Sequence, residues 1–359
     1  MNKKIKTKNI ILFTLFILWT MAAAVLIFID GIRPFFVSGK NILGDMVKKQ
    51  GVERMLDGVY MQEGEAEKYP AAIMIDNMFE ARPQSGITKA GLVFEAPVEG
   101  GITRFMAVFS SAEIIEKIGP VRSARPYFID WAMGFPALYG HFGGSPEALG
   151  IIAGDQNIWK LNMDSSAEYF WRAKDRFAPH NAYTSSTLLD KAREKKLTDQ
   201  TLDFSPWKFK DEAGEKERGN QKSVAVDFSI SKTYNVIWAY NKAENNYIRH
   251  YAANPTSADR DLEGNIITAK NLAVMVTDIT VIDEKSRRHI DTIGTGEALI
   301  FQDGKRMEAT WEQKDRWSRL KFYDKNGKEI EFNRGVTWVQ VVTGIEKITV
   351  TENTETTQK

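Results

Sequence analysis

Residues 71–77 read Ala-Ala-Ile-Met-Ile-Asp-Asn, five apolar residues that stop abruptly at a carboxylate and an amide. An unbroken apolar run of this length fits a strand buried on both faces. Such a strand delivers Asp76 and Asn77 at its end. Outward from it, Leu92-Val93-Phe94 and residues 104–109 (RFMAVF) are the next strand candidates, separated by the turn-forming Glu99-Gly100-Gly101. Helical signals follow. Gly119-Pro120 can open a helix running through Ala132, and Ser145-Pro146-Glu147 supplies a cap, a proline at the first helical position and an acid at the positive end of the dipole. Thr184-Ser185 can cap a further helix over residues 187–196. Strands and helices intermix, so residues 55–205 are expected to form an α+β or α/β domain.

A charged stretch, KFKDEAGEKERGNQK at 208–222, places a linker at 206–222, and beyond it the texture turns to strands. Residues 224–228, 234–238, 247–251 and 272–276 all carry strand-forming compositions. Asp303-Gly304 inside ALIFQDGKR marks a tight hairpin, and Asn326-Gly327 a second one after 320–323. Short strands at this spacing predict a β-rich domain, sandwich or barrel, over residues 223–347. A polar tail occupies 348–359.

At the other end of the chain, residues 10–29 read IILFTLFILWTMAAAVLIFI, with no charge and no proline. A helix of that length crosses the roughly 30 Å hydrocarbon layer of a bilayer with every backbone group paired internally. Lys3, Lys4, Lys6 and Lys8 precede it, which orients the N-terminus to the cytoplasm. The expected placement is therefore a single-pass cell-membrane protein. Its partner is the lipid bilayer, held between Ile10 and Ile29, and its remaining domains lie outside the cytoplasm. A signal peptide cleaved near Ala22-Ala23-Ala24 would place the bulk of the chain on the same side; a buried core helix would not. The Lys-rich end and anchor occupy 1–31 and a stalk 32–54, with a short helix within 47–56.

Composition removes several function classes. The 359 residues contain no cysteine, which excludes disulfides, thiol nucleophiles and Cys-ligated metals. The four histidines show no metal-ligand spacing, so no metal and no cofactor is expected. A formal net charge of +1 gives no sign of the basic face that nucleic-acid binding requires.

The groups able to carry chemistry cluster in the first domain. Arg122 and Arg125, three apart, would share one face of the helix expected there and could hold a carboxylate or phosphate. Bracing ion pairs to Asp76, Glu95 or Glu99 would explain them equally well. Gly143-Gly144-Ser145 offers free amides to an anion, or is a plain strand-to-helix turn. Glu95 and Glu99 could be an acid–base pair of a glycan-cleaving enzyme, although two glutamates four apart in a loop also arise by chance. His141 and His180 could be proton carriers or ligand contacts, or, taken singly, buried hydrogen-bonding residues. Asp76, Asn77, Arg82, Arg104, Arg122, Arg125 and His180 are the candidate ligand contacts. Trp311, Trp317 and Trp338 could form an aromatic platform or fill a β core.

In order along the chain, IMIDNMFEARPQSGITKAGLVFEAPVEGGITRFMAVF, IGPVRSARPYFIDWA, GHFGGSPEAL and APHNAYTS, then GEALIFQDGKRMEATWEQKDRWSRLKFYDKNGKEIEFNRGVTWVQV, closely resemble the YerB-like lipoprotein family over residues 55–345. The resemblance implies an extracytoplasmic two-domain protein of unassigned activity and brings no catalytic residues with it. Many members of that family are tethered through a lipidated cysteine. This chain has none, so it must rely on the apolar segment. The expected function is binding of an anionic or carbohydrate cell-wall ligand. The alternatives are a cell-wall glycan or peptide hydrolase using Glu95 and Glu99, or a structural protein-interaction module; no protein partner can be named.

Overall fold

The computed structural model describes residues 51–61, 68–197 and 205–353. The segment between Ile10 and Ile29, most of the expected stalk and residues 354–359 lie outside them. Among the described residues no helix is long and apolar enough to cross a membrane. Two compact units are present. In the first, Val52–Glu53 pairs antiparallel with Tyr60–Met61, so the described part of 47–56 holds a strand instead of the expected helix. The second unit comprises residues 54–59 and 65 onward.

Fifteen strands build its two large sheets: β1 (Ala71–Ile75), β2 (Leu92–Pro97), β3 (Thr103–Phe109), β4 (Leu138–His141), β5 (Lys160–Asn162), β6 (Gln221–Val226), β7 (Val236–Asn241), β8 (Asn246–Tyr251), β9 (Thr268–Ala269), β10 (Asn271–Val276), β11 (Gly294–Gln302), β12 (Lys305–Gln313), β13 (Lys321–Asp324), β14 (Thr337–Val342) and β15 (Ile348–Glu352). Three helices, α1 (Pro126–Met133), α2 (Pro146–Gly154) and α3 (Ser186–Lys196), accompany them. Within residues 71–196 strands and helices intermix, as an α+β domain requires, whereas beyond residue 205 the described regular structure is strand apart from two short 3-10 turns.

One ten-stranded sheet runs β13-β12-β11-β10-β14-β2-β3-β1-β4-β5. A five-stranded antiparallel sheet, β9-β8-β7-β6-β15, packs on it. The larger sheet joins the two sequence halves: β14 lies parallel between β10 and β2, with Val339 opposite Phe94 and Gln340 opposite Glu95. The later strands therefore do not close into a sandwich or barrel of their own. Lys208–Lys210, within the expected linker, pairs parallel with Glu331–Asn333, and β15, within the expected tail, pairs with β6. Backbone pairing overrides side-chain polarity in both segments, because an edge strand needs only one apolar face.

The pleat sorts the side chains into two layers. Ala72, Met74, Leu92, Phe94, Met106 and Val108 face one core together with the residues of α1, where Trp131 stacks on Phe94 at 5.0 Å. Ile73, Val93, Phe105 and Trp338 face the other, against Val224, Val236 and Trp238 of the smaller sheet. Trp238 and Trp338 meet at 5.1 Å and Phe105 and Trp338 at 5.4 Å. Trp311 and Trp338 are thus core residues, each 2% exposed or less, and only Trp317 reaches solvent. No aromatic platform joins the three.

Both helix starts marked by serine form as the caps dictate: Ser145 accepts from the amide of Ala148, and Ser185 from that of Leu188. The helix expected from Gly119-Pro120 starts at Pro126 instead. Gly119 has φ +146° and the chain continues extended through Val121 and Ala124, each bridged to a neighbouring strand or turn. Pro126 itself forces Arg125 into extended geometry and then takes the first helical position, where its missing N–H costs nothing.

Candidate functional site

The parallel strands β1, β2 and β4 end, and the antiparallel β3 begins, at one end of the ten-stranded sheet. This is where Asp76, Glu95, His141 and Arg104 fall. Alternation then divides them. Arg104 and Asp76 continue the face that carries α1, whereas Glu95, Thr103 and Asn77 continue the face that carries the smaller sheet.

On the helix side lies an open groove of about 460 Å³. Arg104, Arg122, Arg125 and Glu99 line it, with Gly144 to Pro146 at the N-terminus of α2. Arg104 is 7% exposed. Its Nη1 donates to the Ser123 carbonyl oxygen at 2.9 Å, its Nε is buried without a partner, and among the described residues no carboxylate forms an ion pair with it. Burial and the nearby Arg125 guanidinium pull its pKa down to about 10, against a partial opposing pull from Asp76 and Glu99. Arg125 Nε donates to Glu99 Oε1 at 2.6 Å and its Nη1 to the Ala124 carbonyl oxygen. Burial alone would raise the Glu99 pKa, but the Arg125 hydrogen bond and charge outweigh it, and the carboxyl is held below its usual value.

Arg122 reaches the same groove from an extended segment. Its amide donates to the Met74 carbonyl oxygen, and its Nε lies 3.0 Å from Asp76 Oδ2. The same carboxylate oxygen is 2.8 Å from His180 Nδ1, and Asp76 Oδ1 accepts from the Met78 amide. Asp76 is therefore a buried brace that holds Arg122 and His180 in place, and the two arginines converge without sharing the helical face expected of them. His141 is fully buried. Its Nδ1 sits 2.8 Å from the Gly143 carbonyl oxygen, and burial lowers its pKa so that it stays neutral. It shapes the turn that borders the groove and is not exposed as a proton carrier.

The other face holds a closed network. Glu95 is fully buried, with Arg249 Nη2 at 3.0 and 3.1 Å from its two oxygens and the Thr103 hydroxyl donating at 2.9 Å. Arg249 also pairs with Asp259 and stands among the rings of Phe105, Tyr251, Trp238 and Trp338. Although burial opposes its charge, those carboxylates raise its pKa further. Asn77 accepts from Arg82 Nε, Gln84 and the Tyr251 hydroxyl, and Arg82 lies over the Tyr251 ring at 3.7 Å. Glu95 and Glu99 consequently sit on different sides of the sheet, so the acid–base pairing expected of them cannot form. Asn77 and Arg82 belong to the seam between the sheets, away from the groove.

The arrangement fits no three-carboxylate or histidine cage: among the described residues no group of three His, Asp or Glu side chains is placed to hold a metal. Comparison with known proteins gives the chain its relatives. The family profile for the N-terminal domain of the protein of unknown function DUF3048 matches residues 56–201, and the profile for its C-terminal domain matches residues 224–339. The chain belongs to the DUF3048 family. It is 32% identical over 314 residues to the "Putative lipoprotein YerB" of Bacillus subtilis, spanning 87% of this chain and 92% of that one. The crystal structure of the YerB protein from Bacillus subtilis superposes with a TM-score of 0.74 at 31% identity, covering 84% of this chain and all of that one.

The DUF3048 profiles break near the charged stretch, while the ten-stranded sheet crosses that break through the β14–β2 pair. This DUF3048 chain also adds to the groove two residues that sequence patterns did not single out, Lys285 and Arg287. They sit on the turn of a two-stranded hairpin, Ile279–Val281 with Arg288–Ile290. The run Asp283-Glu284-Lys285-Ser286-Arg287-Arg288 between two short apolar segments was the available signal, but nothing local showed which distant strand it would approach.

Proposed function

We propose that this chain is a membrane-tethered, extracytoplasmic binding protein whose groove holds an anionic ligand of the cell envelope. One observation carries the ligand class: Arg104 is buried at the wall of an open groove, and among the described residues no ion pair compensates its charge and its Nε has no partner. Burying an unpaired charge is costly, and a ligand anion relieves that cost. Arg122 supports the same chemistry, because Asp76 fixes its Nε while no hydrogen bond among the described residues engages its Nη groups. The name "Putative lipoprotein YerB" of the Bacillus relative and the apolar segment between Ile10 and Ile29 support tethering to a bilayer. Hydrolysis through Glu95 and Glu99 has no such support, since Glu95 is locked to Arg249.

Titration calorimetry of the full chain in detergent micelles tests the ligand class, with poly(glycerol phosphate), polygalacturonate and dextran as probes. Heat should accompany both polyanions and vanish with the double variant Arg104→Gln, Arg125→Gln. Equal heats with dextran, or none with either polyanion, refute the proposal. Tethering is tested by adding protease to wall-permeabilised intact cells, where loss of the folded half is expected and full protection of it is not.

A further inference from the structure

The groove also carries information about the shape and charge of its ligand. Five cations line it: Arg104, Arg122, Arg125, Lys285 and Arg287. Against them stand three carboxylates, Glu99 on the wall, Asp76 behind Arg122 and Asp283 paired with Arg287. The excess is two positive charges. These cations arrive from three separate pieces of chain: β3, the extended segment before α1, and the hairpin turn after Val281. The N-terminus of α2 forms a further wall, with Gly144, Ser145 and Pro146 at its positive dipole end.

We infer that the groove takes a phosphoryl group in its doubly charged monoester form, joined to an uncharged body that lies against Met78, Val98 and Ile102. A carboxylate presents two oxygens in one plane with a single charge, and one forked guanidinium satisfies it. A phosphomonoester presents three strongly accepting oxygens that diverge tetrahedrally, with a charge approaching two at neutral pH. Cationic donors supplied to one groove by three separate pieces of chain, with a matching charge excess, suit the second shape. Arg104 supplies the buried contact at the base, Arg122 and Arg125 are held in position by Asp76 and Glu99, and Lys285 closes from the exposed hairpin turn. Met78, Val98 and Ile102, also on the wall, give the rest of the ligand an apolar surface. This inference rests on the anionic-ligand reading above and narrows it.

Three small probes decide it: phenyl phosphate, benzoate and inorganic phosphate, titrated into the full chain in detergent micelles and followed by calorimetry and phosphorus NMR. Phenyl phosphate at pH 8 should bind at least about tenfold more tightly than benzoate, and its affinity should fall several-fold toward pH 5 as the phosphoryl group takes up its second proton near pH 6. Weaker binding of inorganic phosphate than of phenyl phosphate locates the apolar contact, whereas equal binding overturns that part. Arg104→Gln should abolish binding. Lys285→Gln, at an exposed turn where folding is not at risk, should weaken phenyl phosphate more than benzoate. Benzoate binding as tightly as phenyl phosphate, or a pH-independent affinity, overturns the phosphoryl assignment and leaves an anionic groove. No binding of any probe at millimolar concentration overturns both.

Discussion

Glu95 and Arg104 lie one step apart in the register of β2 and β3, where Ala96 faces Arg104 and Glu95 faces Phe105, and their side chains leave the sheet on opposite sides. That single step separates two chemistries. Glu95 enters a closed, aromatic-walled ion-pair network between the sheets, and Arg104 enters an open groove beside the helices.

The first network is structural, and removing half of it should be severe. Glu95→Ala leaves the Arg249 guanidinium buried against Asp259 alone. Breaking a buried pair in this way costs about 3–5 kcal/mol. Denaturant unfolding should show that loss, and a combined Glu95→Leu, Arg249→Met, Asp259→Asn variant, which leaves no carboxylate of the network unpaired, should recover most of it. A single-variant loss below about 1 kcal/mol contradicts the network's role.

Arg104 should behave in the opposite sense. Its folded-state pKa lies below its unfolded value, so the fold prefers the neutral form; the cost is fully present at neutral pH and is relieved only as pH rises through about 10. Arg104→Met removes a buried charge and keeps the packing volume, and replacing buried charge by apolar groups is commonly neutral or stabilising by about 1–4 kcal/mol. A higher Tm together with lost anion binding is expected from paired thermal melts and titrations. A lower Tm shows that Arg104 is compensated by the fold itself.

Glu99 offers a third test. It is the groove's lining carboxylate and is held below its usual pKa by Arg125, so its contribution to stability is present above pH about 4.5 and lost as pH falls through the lower folded value. Glu99→Gln frees Arg125 and raises the local charge, so anion affinity at pH 7 should increase severalfold. An acid–base enzyme would instead lose its activity with the same substitution, and the titration separates the two.

The cap at Ser145 sets where α2 begins at the groove wall. Ser145→Ala removes the bond to the Ala148 amide and should cost about 1 kcal/mol. Chemical denaturation measures the cost, and anion affinity should fall with it as the first turn of α2 frays. Unchanged affinity despite the lost stability would show that this helix end does not contribute to the groove.

Much of this architecture was written locally. The run at 71–75, the caps at Ser145 and Ser185, and the Asp303-Gly304 turn, where both residues hold positive φ near +54° and +65°, follow from propensities that a few adjacent residues decide. Polar clusters at the strand ends, legible in the sequence, also gather at one end of the sheet. What the sequence concealed was side and partner. Whether Glu95 meets Glu99 or Arg249 depends on pairing with a residue 154 positions away, and a one-residue change of register would exchange the two faces. The placement of Lys285 on the same groove as Arg125, and the insertion of β14 between β10 and β2, are likewise long-range facts that no window of sequence contains.

That insertion has a consequence for how the chain comes into being. Until residues 337–342 emerge from the ribosome, β2 has an empty flank, a row of apolar side chains and unmatched amides of the kind that recruits stray strands. The N-terminal half is therefore a waiting intermediate, dependent on a segment made nearly 250 residues later. Chains truncated before that point should accumulate as aggregates instead of a smaller functional protein.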